Sequence, residues 1–410
     1  MSTPTATPPP STTPSSPLHP TGSVPPTSGS GASPPERLLT RPFVVLGLAE
    51  LAYFTAVGAV VYALPLYVTG PIGSDTAGAG VAFGAFAVSA LVLRPFAGRL
   101  TDRVGRRPLL VGGALLCAGA LALMPVAHGL VAVVALRLVM GVAEAAFFVA
   151  GFAALADLAP PSRMGEALSY NSLGLYLGLT LGPPLGEMLV AAGGYTTAWL
   201  GASVLAAAAA ALAVLIGETR TANPEAGKAR LIHRRSVPIA AAFCTSIVAM
   251  GGFLAFAALR AGEIGLDNAS VPVFAYGAVV VVCRIAFARL PDRLPPLRLG
   301  AAALVTIAAG LAVVAAWATP TGMLIGAVVM GVGVTFSTPA FFAAMFATAG
   351  PGERGAVSGT ASAFMDLGLG AGPILLGVVA RSMGIAPAFG VAAGVVLIGA
   401  VWAAVLVRRY

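Results

Sequence analysis

Four charged residues lie inside long apolar runs of this 410-residue sequence: Glu50, Arg137, Glu144 and Asp366. A charge at the centre of a bilayer costs roughly 2.5–3.5 kcal/mol on insertion scales, so each should face a cavity or a partner. Arg137 and Glu144 are seven residues apart in sequence, nearly two helical turns, and so share one face. Because buried carboxyl groups can bind and release protons near neutral pH, we predict that Glu50, Glu144 and Asp366 couple the protein to protons. The alternative is a salt bridge between Arg137 and Glu144 that only stabilises packing.

Three further charges, Arg94, Glu187 and Arg284, lie nearer the ends of their apolar runs. Glu187 could either bind protons or simply be solvated at the outer surface. Most of the remaining charged residues fall between the apolar runs, in polar segments.

The composition indicates a membrane protein. Apolar residues make up 58% of the chain and charged residues only 9%, with a mean hydropathy of +0.93, whereas soluble domains have about 25% charged residues. These values exclude a soluble enzyme, a disordered protein and a disulfide-stapled secreted domain. The net charge of +8 does not indicate nucleic-acid binding, because most positive charges fall in loops, as the positive-inside rule requires. The three cysteines are far apart and indicate neither a metal site nor a disulfide framework.

The apolar runs predict an all-α membrane protein with twelve transmembrane helices, because backbone polar groups in lipid must be satisfied within their own segment. Residues 1–40 are rich in Pro, Ser, Thr and Gly and cannot bury enough apolar surface to fold, so we predict a disordered cytoplasmic tail. The predicted spans are 42–68, 78–98, 108–127, 129–156, 165–191, 196–216, 237–260, 270–288, 298–318, 321–348, 355–381 and 385–407.

Positive charges set the predicted orientation. With both termini in the cytoplasm, 18 Arg and Lys residues lie in inner segments and 2, Arg260 and Arg381, in outer segments. We therefore expect a multi-pass protein of the plasma membrane, here the bacterial inner membrane. The polar segment 217–236 is the predicted cytoplasmic linker between two six-helix bundles, 41–216 and 237–410.

The two predicted bundles carry an internal repeat with a constant offset of 190 residues. Arg94 recurs as Arg284, and the pairs Gly141-Val142 and Gly182-Pro183 recur as 331–332 and 372–373. An offset of six helices keeps the same membrane orientation, so the repeats are parallel and related by an axis along the membrane normal.

The loop between the second and third helices carries a recognisable motif. Residues 98–107 have Gly, three residues, Asp, Arg, one residue, Gly, Arg and Arg. This resembles the signature loop of the major facilitator superfamily, whose transporters have twelve helices in two parallel repeats. Gly98 would allow close helix approach. The resemblance implies that Asp102 lies near the start of helix 11 and that Arg106 pairs with Asp157. The implied latch, which holds the halves in the outward-facing state, comprises Gly98, Asp102, Arg103, Gly105, Arg106 and Asp157.

Helix 5 contains a second motif, Gly178, Gly182-Pro183 and Gly186, which resembles the antiporter motif of exporters in this family. The family's further upstream glycine is replaced by Ser169. An imperfect copy in helix 11 indicates that part of this signal is structural. Arg137 with Gly141 similarly resembles the helix 4 motif of proton-driven members, and this resemblance implies that Arg137 takes part in proton coupling.

Nine residues lie on helices that line the substrate cavity in this family. Aromatic side chains in membrane helices also pack the core or face lipid, so this alternative stays open. The sequence contains no nucleotide-binding loop, metal-ligand cluster or nucleophile triad, so we expect no cofactor, no metal and no enzymatic activity. The predicted cavity residues are Tyr53, Phe54, Phe147, Phe148, Asn171, Tyr176, Phe253, Phe341 and Phe342.

These features predict a secondary active transporter that exports a small organic compound, such as a drug or metabolite, in exchange for protons by alternating access. A proton symporter that imports a sugar or organic acid is one alternative. A membrane sensor or scaffold that transports nothing is another. The expected partners are a small-molecule substrate, protons and the lipid bilayer, without nucleic acid, and the expected state is a monomer.

Overall fold

The computed structural model describes residues 38–160, 163–220, 232–287, 290–350 and 353–409. The predicted tail up to residue 37 and most of the predicted linker, 221–231, lie outside these ranges. Leu38, the first described residue, is buried. The side chain of Thr40 accepts a hydrogen bond from the backbone N–H of Phe43, so Thr40 caps the first helix.

The described chain is almost entirely helical. The stretch Met164–Ile216 is helical except at Gly193 and Gly194, where Gly194 has φ +74° and reverses the chain, so it forms α5 (164–192) and α6 (195–216). A single helical turn, Leu290–Arg293, lies between α8 and α9. The other helices are α1 Arg41–Thr69, α2 Thr76–Val104, α3 Arg106–Leu123, α4 Leu130–Leu158, α7 Val237–Glu263, α8 Val271–Ala286, α9 Pro296–Ala316, α10 Pro320–Phe346, α11 Arg354–Met383 and α12 Ile385–Val407.

The helices match the length of a bilayer. Ten helical segments in the described chain are long and apolar enough to span a membrane, and one of them contains both α5 and α6. The shorter apolar helix α8 completes the set. The predicted all-α fold with twelve transmembrane helices is therefore confirmed. The predicted breaks near residues 128 and 319 also occur, after a 3₁₀ turn at Met124–Val126 and at the Thr319 cap of α10.

Small residues allow close packing of α1 on α5. A Cβ atom added at Gly182 would lie within 2.6 Å of backbone atoms of Thr55 and Gly58, and one at Gly178 would lie 2.8 Å from the Phe54 side chain. The predicted antiporter motif therefore forms a helix contact inside the N-terminal half. In the C-terminal half, Gly372 of α11 approaches the backbone of Val248 on α7 in the same way.

Two other helix pairs, each with one helix from either half, join the halves. Helix α2 packs on α11, where a Cβ atom at Gly84 would collide with the Gly370 carbonyl, and α5 packs on α8, where one at Gly277 would collide with Thr180. The offset of 190 residues relates the helices of the first pair to those of the second. The two six-helix repeats thus face each other through equivalent helices.

Replacing Gly182 by Val should lower both the yield of folded protein and its unfolding temperature, because two helix backbones would have to separate. Overpacking of this kind costs typically about 1–3 kcal/mol. Thermal unfolding of the detergent-purified chain measures the effect. Gly112→Val on α3 is the matched control, since a Cβ atom there meets nothing within 4 Å. Equal unfolding temperatures for the two variants would contradict this packing.

Candidate functional site

The two ends of the helix bundle differ in chemistry, and we name them accordingly. The basic face carries the start of α1 and the α2–α3 turn at Gly105, where φ is +109°. The opposite face carries the α1–α2 turn, which ends at the α2 cap Asp75, and the α11–α12 turn at Gly384.

An ion cluster in the interior joins the two halves. Arg94 on α2 forms two ion pairs. Its Nη2 atom lies 3.2 Å from Oε1 of Glu144 on α4, and its Nε atom lies 2.5 Å from Oδ2 of Asp366 on α11. Its guanidinium carbon is also 4.5 Å from the centre of the Phe148 ring. Asp366 is only 2% exposed, and Arg94 and Glu144 are 12% exposed. We call Arg94, Glu144 and Asp366 the Arg94 triad; with both acids ionised it carries a net charge of −1.

Arg94 lies nearer the end of its apolar run, and for this reason it was not among the four residues predicted to couple the protein to protons. A usable signal was present, because Arg94 is spaced three or four residues from Ala90 and Ala97, the small residues that are buried on the same face of α2. Its partner Asp366 is 272 residues away, so sequence spacing gave no indication of the pairing.

Arg137 makes its hydrogen bonds outside the Arg94 triad. Its guanidinium donates to the backbone carbonyl oxygens of Ala82 (3.0 Å) and Phe83 (3.1 Å) on α2, and it lies 4.7 Å from the centre of the Phe86 ring. Glu144 pairs with Arg94 instead, so the alternative of a packing salt bridge between Arg137 and Glu144 is wrong. The bonds of Arg137 tie α4 to α2.

Glu50 of α1 lies apart from the triad and is 3% exposed. It accepts a hydrogen bond from the Asn171 side chain of α5, and its Oε1 lies 2.9 Å from where a Cβ atom at Gly151 would be. In the described chain, its Oε2 atom is buried without a hydrogen-bond partner. Asn171 also lines a crevice of about 170 Å³, together with Phe43 and Gly47 of α1. Glu50 is therefore a buried acid one side chain away from an opening near the basic face.

A second arginine occupies the position equivalent to Arg94. Arg284 of α8 donates to the hydroxyl oxygen of Tyr176 on α5 at 2.9 Å, and its guanidinium carbon lies 4.1 Å from the centre of that ring. Adding 190 to 94 and 176 gives 284 and 366. The Arg284–Tyr176 contact is thus the counterpart of Arg94–Asp366, with a phenol in place of the carboxylate.

At the opposite face, Glu187 of α5 joins the two halves by hydrogen bonds. Its carboxylate accepts hydrogen bonds from the backbone N–H of Ala269 (2.8 Å) and from the backbone N–H (3.3 Å) and hydroxyl (2.5 Å) of Ser270, at the start of α8. The hydroxyl of Tyr62 on α1 donates to the same group at 3.3 Å. Glu187 is therefore bound rather than simply solvated. We call Glu187, Ala269 and Ser270 the opposite-face clasp.

The cross-half contacts show which end is closed. Besides the clasp, Asp75 pairs with Arg381 at 3.0 Å at the opposite face. The hydrogen bonds and ion pairs between the halves that involve Thr76, Glu187, Arg284 and Arg94 lie from that face to the level of Arg94, about 15 Å from the basic-face end of α2 at 1.5 Å per residue. The interface is thus closed towards the opposite face.

The predicted latch loop is held within its own half. Arg106 Nε lies 2.8 Å from Asp157 Oδ2, the pairing that the family resemblance implied, while Asp102 is half exposed and 3.8 Å from Arg106. A Cβ atom at Gly98 would meet nothing within 4 Å, so the close approach expected at Gly98 is wrong for this conformation. Arg103 offers its backbone carbonyl to Arg220 at the start of the linker.

Glu218, which the sequence analysis did not single out, fills the concave side of the turn at Gly105. Its carboxylate accepts hydrogen bonds from the backbone N–H groups of Arg106 (2.9 Å) and Arg107 (3.2 Å), at the start of α3. Partial desolvation opposes the charge, but the backbone donors Arg106, Arg220 and Arg107 outweigh it and hold the pKa of Glu218 below its ordinary value. The linker thus begins as a cap on the latch loop.

The predicted cavity residues separate into two groups. Tyr53, Phe147, Phe253 and Phe341 are at most 1% exposed in this conformation, and their place in a substrate cavity stays a prediction. They pack the core: Tyr53 stacks on Phe147 at 4.1 Å, and Phe341 packs against Gly300.

Three of the other five predicted cavity residues lie beside interior charges. Phe148 contacts Arg94, Asn171 contacts Glu50, and Tyr176 contacts Arg284. Phe54 lies against Gly178, and Phe342 lies 5.7 Å from the Phe243 ring. In the described ranges, no group of three or more His, Cys, Asp and Glu side chains is placed to hold a metal ion.

Comparison with known proteins gives a consistent result. The sequence profile of the Major Facilitator Superfamily matches residues 46–368. An uncharacterised MFS-type transporter of Salmonella typhimurium is 30% identical over 340 residues, covering 79% of this chain and 86% of the relative. One from Burkholderia pseudomallei is 28% identical over 341 residues, covering 80% of this chain and 82% of the relative.

Solved structures show the same fold at low sequence identity. The nucleoside transporter NupG superposes with a TM-score of 0.75 at 14% identity, covering 89% of this chain and 99% of NupG. A bacterial homologue of the human lysosomal transporter Spinster, in an inward-facing and occupied conformation, has a TM-score of 0.75 at 15% identity, covering 90% of this chain and 96% of its own.

Replacing Arg94 by Ala should destabilise the protein by about 3–5 kcal/mol, because two largely buried carboxylates would lose their counter-ion. Adding Asp366→Asn to Arg94→Ala should recover part of the loss. Thermal unfolding of the detergent-purified variants measures both effects. Arg381→Ala is the control, because its exposed pair with Asp75 should be worth at most about 1 kcal/mol. An Arg94→Ala loss no larger than that of the control would contradict the triad.

Replacing Glu187 by Gln should open the opposite face more often, because charge-assisted hydrogen bonds across the halves would weaken. The reporter is Thr180→Cys, 3% exposed at the α5–α8 contact, in a background without the three native cysteines. We expect its labelling by an impermeant maleimide, added from the opposite face, to rise about fivefold, as for loss of ~1 kcal/mol. Glu263→Gln, exposed and outside the clasp, is the control. Unchanged labelling in Glu187→Gln would rule out the clasp as a gate.

Proposed function

Because this chain belongs to the Major Facilitator Superfamily, we propose that it is a proton-coupled antiporter that exports a small organic compound. The two halves would alternate between openings at the basic face and at the opposite face. The observation that carries the coupling is the Arg94 triad, in which one cation from the N-terminal half lies between two carboxylates, one from each half.

The triad couples proton binding to conformation through its charge. Arg94 neutralises only one of two carboxylates, so a bound proton brings the cluster to zero net charge. Protonation of Asp366 also removes the ionic bond between α2 and α11, which joins the halves. A proton that binds one conformation better than the other shifts the balance between them, as any ligand does. Protons and the rocking of the halves are thereby linked.

Export is favoured by the position of the Gly178–Gly186 motif. These glycines hold α5 against α1, and α5 also carries Tyr176 and the clasp residue Glu187. Helix α5 therefore connects an interior polar contact with the closure at the opposite face. The motif resembles that of exporters, and Arg-rich loops at the basic face favour a cytoplasmic location for that face in the bacterial inner membrane.

The cargo we propose is a small, partly apolar organic compound. Phe148 and Tyr176 place aromatic rings directly against the interior arginines Arg94 and Arg284. Such a surface combines apolar area with fixed charges, as small-molecule sites in proteins do.

The test uses everted membrane vesicles that contain the full chain and a trapped pH-sensitive dye. A compound library is screened for members that release protons from acidified vesicles, with and without a protonophore. For an active compound, Glu144→Gln and Asp366→Asn should lower the compound-driven proton flux by at least about tenfold, because a group required in the cycle is lost. Glu263→Gln, an exposed acid on α7, is the matched control and should retain the flux.

Other outcomes would contradict the proposal. Unchanged compound-driven proton flux in both triad variants would exclude the triad from coupling. Proton and compound moving in the same direction would establish the symporter instead. Binding of compounds without any transport by the wild-type chain would establish a sensor.

A further inference from the structure

The two equivalent arginine contacts have opposite charge balance. Arg94 has two carboxylate partners, Glu144 and Asp366. The residues at the equivalent positions around Arg284 are Val334 and Tyr176, an aliphatic side chain and a phenol. The repeat has kept the cation and replaced both of its anions.

Arg284 retains unused hydrogen-bonding capacity. One Nη2 bond goes to the Tyr176 hydroxyl, while its Nε atom is buried without a hydrogen-bond partner among the described residues. The hydroxyl of Tyr276, on the same helix as Arg284, is also buried without a partner among the described residues. Placing a cation inside the membrane costs free energy unless an opposite charge pairs with it. Arg284 therefore lacks a counter-ion at this site, and an anion with oxygen acceptors would supply one.

The position of this site gives access from one side. Tyr176 lies on α5 and Arg284 on α8, so the two halves contribute one side chain each. Thr180 and Gly277 meet on the same two helices, one turn or more towards the opposite face, and close that side. Arg284 is half-buried and lies two residues before the end of α8 at Ala286, so the site is nearer the basic face.

We propose that Arg284, with the Tyr176 ring, binds the anionic group of the cargo, and that the cargo is an organic anion with a carboxylate on an apolar body. A guanidinium matches a carboxylate with two parallel N–H···O bonds. The Tyr176 ring supplies an apolar surface beside the charge. This inference rests on the proposed transport function and names its substrate class. Export of an anion in exchange for an entering proton would also be driven by an inside-negative membrane potential, because both movements carry positive charge inward.

Equilibrium binding tests the proposal with the full chain purified in detergent at pH 7. The probes are 1-naphthoate, its neutral methyl ester and the cation 1-naphthylmethylammonium, which share one ring system. We expect naphthoate alone among the three to raise the unfolding temperature in a saturable way. Arg284→Gln should weaken naphthoate binding by at least about tenfold, and Arg284→Lys should restore part of it by restoring the charge. Arg381→Gln, an exposed arginine at the opposite face, should bind as the wild type does.

A second variant covers the case in which Arg284→Gln fails to fold. Tyr176→Asp supplies the carboxylate that the equivalent position already has in Asp366. It should keep the fold, because Arg284 gains a counter-ion, and it should abolish naphthoate binding, because that counter-ion occupies the site.

Several results would overturn the inference. These are equal binding of the ester or the ammonium probe, no binding of naphthoate, and undiminished naphthoate binding in Tyr176→Asp. Stabilisation by dioctanoyl phosphatidylglycerol without stabilisation by naphthoate would assign Arg284 to a lipid headgroup. Binding in detergent requires no proton gradient, so it fails or succeeds independently of the vesicle test of the Arg94 triad.

Discussion

A charge inside the bilayer must find its partner within the protein, and this constraint organises the interior of the helix bundle. Arg94 forms ion pairs with Glu144 and Asp366. Arg137 donates hydrogen bonds to the backbone carbonyls of Ala82 and Phe83. Each of these bonds connects two helices. The charges therefore determine which helix faces contact each other, and they account for much of the polar chemistry between the spans.

Small residues make these contacts possible by letting helix backbones approach closely. Gly182 against Gly58 holds α5 on α1, and Gly84 against the Gly370 carbonyl holds α2 on α11. With larger side chains there, α2 and α11 would separate and Asp366 would lose its position beside Arg94. Packing and electrostatics are thus coupled, because the close contact between backbones brings the charges within hydrogen-bonding distance.

The helices and the repeat were predictable from the sequence because both depend on local or periodic properties. Apolar runs of about 20 residues define spans, and a constant offset relates Arg94 to Arg284. The Arg106–Asp157 pair could be predicted only through the family resemblance. The pairing of Arg94 with Glu144 and Asp366 could not be predicted, since hydropathy does not specify how α2, α4 and α11 are rotated about their axes. For the same reason, Phe147 and Phe148 were equal candidates, although Phe147 packs the core and Phe148 contacts Arg94.

The two halves share a backbone plan, so their chemical differences carry the information about function. At equivalent positions, the N-terminal arginine has two carboxylate partners, whereas Arg284 lies beside the Tyr176 ring and its Nε has no hydrogen-bond partner among the described residues. At the opposite face, Glu187 holds the start of α8, whereas its counterpart Gly377 meets the α2 backbone directly. A symmetric scaffold with asymmetric charges provides two chemically different interior sites at equivalent positions. Under the function proposed above, divergence at single positions, rather than a change of fold, would divide proton binding from cargo binding.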